Sequence, residues 1–202
     1  YGCPFEKNEK EVFFRLTWIY PEGIQAVLEA KLEDLELMAG RLSKTDRHSA
    51  LYLLQNCFAM PKLTYFLRSS PCFLKPNILE RYDTIIKNAL VKILNIQLPE
   101  EAWSQATLPV AKGGLGLRPA TEIALAGYLS SVHASSGIVQ SLLPDSLRGQ
   151  KCKHYESALR EWKLSSFSGD LPQNPIVWVG QTALRSQVWS LTQLSYLRSW
   201  KS

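Results

Sequence analysis

The sequence predicts a mainly α fold, an irregular multi-helix bundle with one short glycine-rich turn or β-hairpin near residues 106–118. Three observations carry this. Apolar residues recur at three- and four-residue steps in at least five segments, which is one face of a helix. Two-residue alternation is almost absent. A single glycine cluster, Gly113-Gly114-Leu115-Gly116, interrupts the pattern mid-chain. With 202 residues, 46% hydrophobic and 20% charged, the chain can bury a core as one domain, with or without an appendage.

Residues 1–20 form a poorly defined N-terminal segment, in which Phe13-Phe14-Arg15-Leu16-Thr17-Trp18-Ile19-Tyr20 has the composition of a short strand. The start at Tyr1, without Met, points to a piece of something longer. A helical domain then covers 21–163. Pro21-Glu22-Gly23 opens a first helix whose face is Ile24, Val27, Leu28, Leu32, Leu35, Met38, Ala39 and Leu42. Ser43 to Asp46 break it, and Thr45 or Asp46 can cap the next helix, which carries Ala50, Leu51, Leu54, Cys57 and Phe58. Pro61 interrupts, and a short aromatic helix follows around Leu63–Leu67.

Pro76 or Asn77 starts the clearest helix. Its stripe is Ile78, Leu79, Tyr82, Ile85, Ile86, Ala89, Leu90, Ile93 and Leu94. Pro99-Glu100-Glu101 begins a turn that delivers Trp103 to the core. After the glycine stretch, helices are expected at 121–135, where Gly127 would cost about 1 kcal/mol against Ala unless a close helix contact repays it, at 138–143 and at 152–163. A linker at 164–177 and a helical tail at 178–202 complete the chain.

The net charge is +5, unevenly spread. Residues 1–36 carry four Lys/Arg and eight Asp/Glu, 37–99 nine and three, and 100–202 ten and seven, giving −4, +6 and +3. The basic middle favours a polyanionic partner. A solvated, lysine-decorated surface accounts for the same numbers. The four cysteines, Cys3, Cys57, Cys72 and Cys152, contain no Cys-x-x-Cys pair, so a reducing intracellular compartment, cytoplasmic or nuclear, is expected. No run of 18 apolar residues exists to span a membrane.

Within Leu108–Pro119, Lys112 and Arg118 bracket Gly113, Gly114 and Gly116. One reading is functional: backbone amides and two cations facing a polyanion. The other is a tight turn that closes the helical core, with Arg118 pairing to Glu122 four residues on. The stretch is neither a Walker loop, since Lys112 precedes the glycines, nor a Rossmann fingerprint, since Pro119 stands where the third glycine belongs. No catalytic set is apparent. There is no Gly-x-Ser-x-Gly elbow, Cys152 and His154 lack a second ligand pair, and Glu33-Asp34 and Glu100-Glu101 diverge on their helices. No cofactor or metal is implied.

Several blocks resemble one family in their order and spacing. They are Pro21-Glu22-Gly23-Ile24, Leu37-Met38-Ala39-Gly40-Arg41-Leu42, Pro61-Lys62-Leu63-Thr64-Tyr65-Phe66-Leu67-Arg68, Tyr82-Asp83, Ile93-Leu94-Asn95, Trp103, and Gln105 to Val110 followed by Gly113 to Arg118. This pattern, covering roughly residues 20–145, is similar to the region C-terminal to the polymerase core in retrotransposon reverse transcriptases. The resemblance implies a thumb-like helical segment beside a primer–template duplex, held next to the polymerase palm of a parent protein. The family's Asp-Asp signature is absent, so the resemblance implies an accessory, non-catalytic part. The expected phosphate contacts are Lys112 and Arg118 around Gly113, Gly114 and Gly116, with Lys62 and Arg68 as a second pair. The alternatives are a helical protein-interaction scaffold and a decayed element fragment without activity.

Overall fold

The computed structural model describes residues 21–148 and 153–164. Its helices are α1 (Pro21–Leu42), α2 (Arg47–Leu53), α3 (Met60–Ser69), α4 (Pro76–Leu94), α5 (Glu100–Thr107), α6 (Ala120–Leu142) and α7 (Lys153–Leu164). No strand occurs among the described residues. The expected strand at 13–20 and the tail at 178–202 lie outside them, as does the linker beyond residue 164. No helix of the described residues is long and apolar enough to cross a membrane.

The long helices follow from their apolar stripes. On α1 the side chains of Ile24, Val27, Leu28, Leu32, Leu35 and Leu42 are buried. They lie along α4, whose Ile78, Leu79, Tyr82, Ile86, Ala89, Leu90 and Ile93 are buried in turn. Each fully buried leucine of this core stabilises the fold by roughly 1.5–3 kcal/mol relative to exposure. Pro76 fits the first turn of α4, where its missing N–H costs nothing. Asn95, left-handed at φ 55°, ends the helix. Asp46 caps α2 by accepting the Ser49 N–H at 2.9 Å.

Between α2 and α3 the chain widens into a π-helical turn, Leu54–Phe58, and breaks at Ala59. Pro61 explains the restart, because it has no N–H to continue the ladder. The break frees the Ala59 carbonyl, which the buried Tyr82 hydroxyl on α4 satisfies at 2.8 Å. On α3, Met60, Leu63, Phe66 and Leu67 are buried, and this face packs chiefly on α6.

One sequence expectation changes, and one is narrowed. The helices expected at 121–135 and 138–143 are a single helix, α6. Ser135 and Ser136 do not break it, because their hydroxyls donate back to the Ser131 and His133 carbonyls at 2.9 and 2.8 Å. The glycine stretch is a turn without a hairpin: α5 extends to Thr107, and a 3-10 turn, Val110–Lys112, follows. A second, smaller core joins α6 to α7 through Ala126, Tyr128, Leu129, Ala158 and Trp162. Phe73 touches both cores and packs against Tyr128 with ring centroids 5.6 Å apart.

Candidate nucleic-acid interface

The glycine turn is built to close the C-terminal end of α5. Helix ends leave carbonyls without partners. Here the returning chain supplies donors: Leu115 and Leu117 N–H to the Ala106 carbonyl at 3.0 and 3.3 Å, and Gly116 N–H to Leu108 at 2.7 Å. The amides of Lys112, Gly113 and Gly114 donate to Pro109, Val110 and Pro109 at 2.8, 3.0 and 3.1 Å. Every amide from Lys112 to Leu117 thus has a backbone carbonyl. An anion arriving at this turn would meet side chains rather than those amides.

The glycines are required by geometry. Gly113 sits at φ +81° and Gly116 at φ +71°, where L side chains are strained. A Cβ at Gly114 would lie 2.1 Å from the Leu108 carbonyl oxygen, inside the backbone itself. A Cβ at Gly116 would stand 3.1 Å from Gln55 Nε2, so the turn abuts the π-helical segment. Lys112 is exposed at the tip and Arg118 is half-buried.

The second cation pair lies on α3. Lys62 is half-buried, with its ammonium 5.7 Å from the centre of the Phe58 ring. Arg68 is exposed, and its stem lies 3.9 Å from the Cβ position of Gly127 on α6. That gap is ordinary contact, so Ala would fit at Gly127. Lys62, Tyr65 and Arg68 follow one another at three-residue steps on an unbroken helix, so the two cations flank one outward face. Between Asp46 and Glu80 the sequence has no Asp or Glu. This acid-free span makes α2, the π-helical turn and α3.

The carboxylates gather elsewhere. A cleft of about 410 Å³ between α4, α5 and the start of α6 is lined by Glu80, Asp83, Lys87, Glu100, Trp103 and Glu122, among others. Lys87 and Glu100 form an ion pair. Pro119 is the N-cap of α6 and offers no side-chain cap. Asp83 of α4 supplies it from 37 residues away, accepting the Ala120 N–H and, at 3.1 and 2.7 Å, the Thr121 N–H and hydroxyl. Burial raises the Asp83 carboxyl above its ordinary value, against the lowering effect of those bonds.

Glu122 occupies the third position of α6. A Glu there commonly accepts the N-cap N–H, but proline has none. Burial pushes Glu122 up to about 7, and the Asp83 charge adds to the rise. No three His, Cys, Asp or Glu side chains among the described residues converge as metal ligands.

The sequence did not reveal the Asp83–Glu122 junction. Its one available signal was negative: Leu117-Arg118-Pro119 holds no capping side chain, so a cap had to come from another element. Comparison with protein-family models, with curated proteins and with solved structures returns no match.

Proposed function

We propose that this chain is a non-catalytic, nucleic-acid-contacting helical segment of a retroelement reverse transcriptase. It holds primer–template duplex through phosphate contacts that do not read sequence, beside the palm of a parent protein. The observation that carries this is charge segregation on the fold. The acid-free span presents Lys62 and Arg68 on α3, while Glu80, Asp83, Glu100 and Glu122 collect in the α4–α5–α6 cleft. A span that carries cations and no carboxylates of its own attracts phosphates. Lys112, exposed on its turn, and Arg118 extend the cationic set. Gly113, Gly114 and Gly116 contribute by shaping the turn that holds Lys112. No polymerase, nuclease or hydrolase activity is expected of the chain alone.

The test is duplex binding over a salt series. Replacing Lys112 and Arg118, or Lys62 and Arg68, with Gln should weaken binding to any duplex sequence alike and lower the salt slope by about one for each phosphate no longer neutralised. An unchanged affinity and slope in both double variants would refute the phosphate reading. A protein-interaction scaffold is the second reading. It is favoured by Ile138, Val139 and Leu142, apolar and exposed on the far half of α6. In that case the chain shows no salt-dependent duplex binding.

A further inference from the structure

The nucleic-acid reading accounts for cations and says nothing of the ring between them on α3. Tyr65 is 68% exposed, although the rest of the helix hides its large apolar side chains Leu63, Phe66 and Leu67. Burial of a tyrosine ring normally stabilises a fold, so a ring largely in water on an ordered helix is accessible to a ligand. Its neighbours are specific. Lys62 lies one turn before it and Arg68 one turn after, each about 4.5 Å along the axis at 1.5 Å per residue. Stepping three residues rotates about 60° short of a full turn at 3.6 residues per turn, so Tyr65 lies midway in angle between the two cations. Lys62 lies over the Phe58 ring, and the Arg68 stem runs near Gly127. No carboxylate occurs anywhere in the span from Arg47 to Leu79.

Resting on the reading above, we propose that Tyr65, set between Lys62 and Arg68 on the outward face of α3, stacks on an unpaired base of a single-stranded nucleic acid. The ligand class follows from the chemistry. In a duplex the base faces are covered by their neighbours, and a flat ring on a helix surface cannot reach them. In a single strand each base offers its face, and surfaces that hold such strands combine aromatic platforms with cations for the phosphates. Stacking tolerates any base, so this contact adds preference for unpaired strand without sequence preference. An unpaired template strand leaving a primer–template duplex would supply such bases.

The experiment is fluorescence anisotropy of the full chain with a labelled oligothymidine and, separately, a labelled blunt hairpin duplex, over a salt series. Tyr65→Ala should weaken oligothymidine binding by about fivefold or more, the loss of one stacked base. It should leave hairpin binding and both salt slopes unchanged, because the ring neutralises no phosphate. Tyr65→Phe should retain wild-type binding, since the ring face is kept. Arg68→Gln should lower the salt slope with both ligands. Unchanged helical circular dichroism verifies that these variants are folded. The stacking role falls, and the phosphate role survives, if Tyr65→Ala leaves oligothymidine binding unchanged or weakens both ligands equally while Arg68→Gln still lowers the slope. Competition by polyglutamate as strong as by oligothymidine, with Tyr65→Ala weakening both alike, also overturns stacking and marks the face as a general polyanion or acidic-protein site. If the wild-type chain binds neither ligand, both readings fall together.

Discussion

Raising the pH from 4.5 to 7 should destabilise this protein through one side chain, Glu122. In the unfolded chain its carboxyl titrates near 4.5; in the folded cleft, burial and the Asp83 charge push it up to about 7. The folded state therefore binds more protons than the unfolded state between these values, and stability falls as pH rises through that window. The contribution is fully present below 4.5 and fully lost above about 7. The span from 4.5 to about 7, at about 1.36 kcal/mol per pH unit, amounts to about 3 kcal/mol. Glu122 is half-buried and its cleft is open to solvent, which screens the charge, so about 2 kcal/mol is the expected effect. The perturbation that isolates it is Glu122→Gln, which keeps the shape and cannot ionise. Urea unfolding of both proteins at several pH values, followed by helical circular dichroism, gives the difference in stability. Titrating groups not coupled to Glu122 cancel in that difference. The variant should gain on the wild type as pH rises from 4.5 and hold a constant lead above about 7. A difference that stays flat across this range would refute a desolvated, Asp83-opposed carboxyl.

Asp83→Ala should cost about 1–2 kcal/mol in urea unfolding, since it removes the side-chain cap that Asp83 gives the α6 N-terminus; it should also shift Glu122 downward, shrinking the pH effect above. Gly114→Ala should destabilise far more than Gly113→Ala, because the first drives a Cβ to 2.1 Å from the Leu108 carbonyl oxygen and the second only strains a φ of +81° in open space. Gly137→Ala, in a helix with nothing within 4 Å of the new Cβ, should stabilise by about 0.5–1 kcal/mol, measured by thermal melting.

Periodicity made most of this fold legible. The stripe Ile78 to Leu94 on α4, the α1 face from Ile24 to Leu42, the Asp46 cap and the restart at Pro61 follow local rules, and the structure agrees with each. The failures were those of local reading. Helices expected at 121–135 and 138–143 leave Ser136 and Gly137 between them, yet the Ser135 and Ser136 hydroxyls bond back to the helix's own carbonyls and nothing crowds Gly137. The glycine stretch was legible as special but not as to why. A cluster of glycines between two cations has the composition of an anion cradle and of a packing turn alike. What separates the two is where the amides point, and that depends on the Ala106 and Leu108 carbonyls meeting the returning chain. The Asp83 cap was hidden for a similar reason, since 37 residues separate donor from acceptor and no periodicity links them.

The two halves of the candidate surface carry different weights. At the turn, the backbone is committed to closing α5, so any outward action there falls to the Lys112 and Arg118 side chains. On α3, the helix satisfies its own backbone and its buried face holds the core, while Lys62, Tyr65 and Arg68 keep part of each side chain at the surface. Lys62 and Arg68 stand six residues apart, a separation that need not place two side chains on one helix face. In the folded helix that gap is two three-residue steps, about 120° in all at 3.6 residues per turn, with an exposed ring in the middle. On the proposed reading the α3 pair is therefore the stronger of the two, because a pair of cations around a planar ring would hold a phosphate and a base together, whereas the turn would offer charge alone.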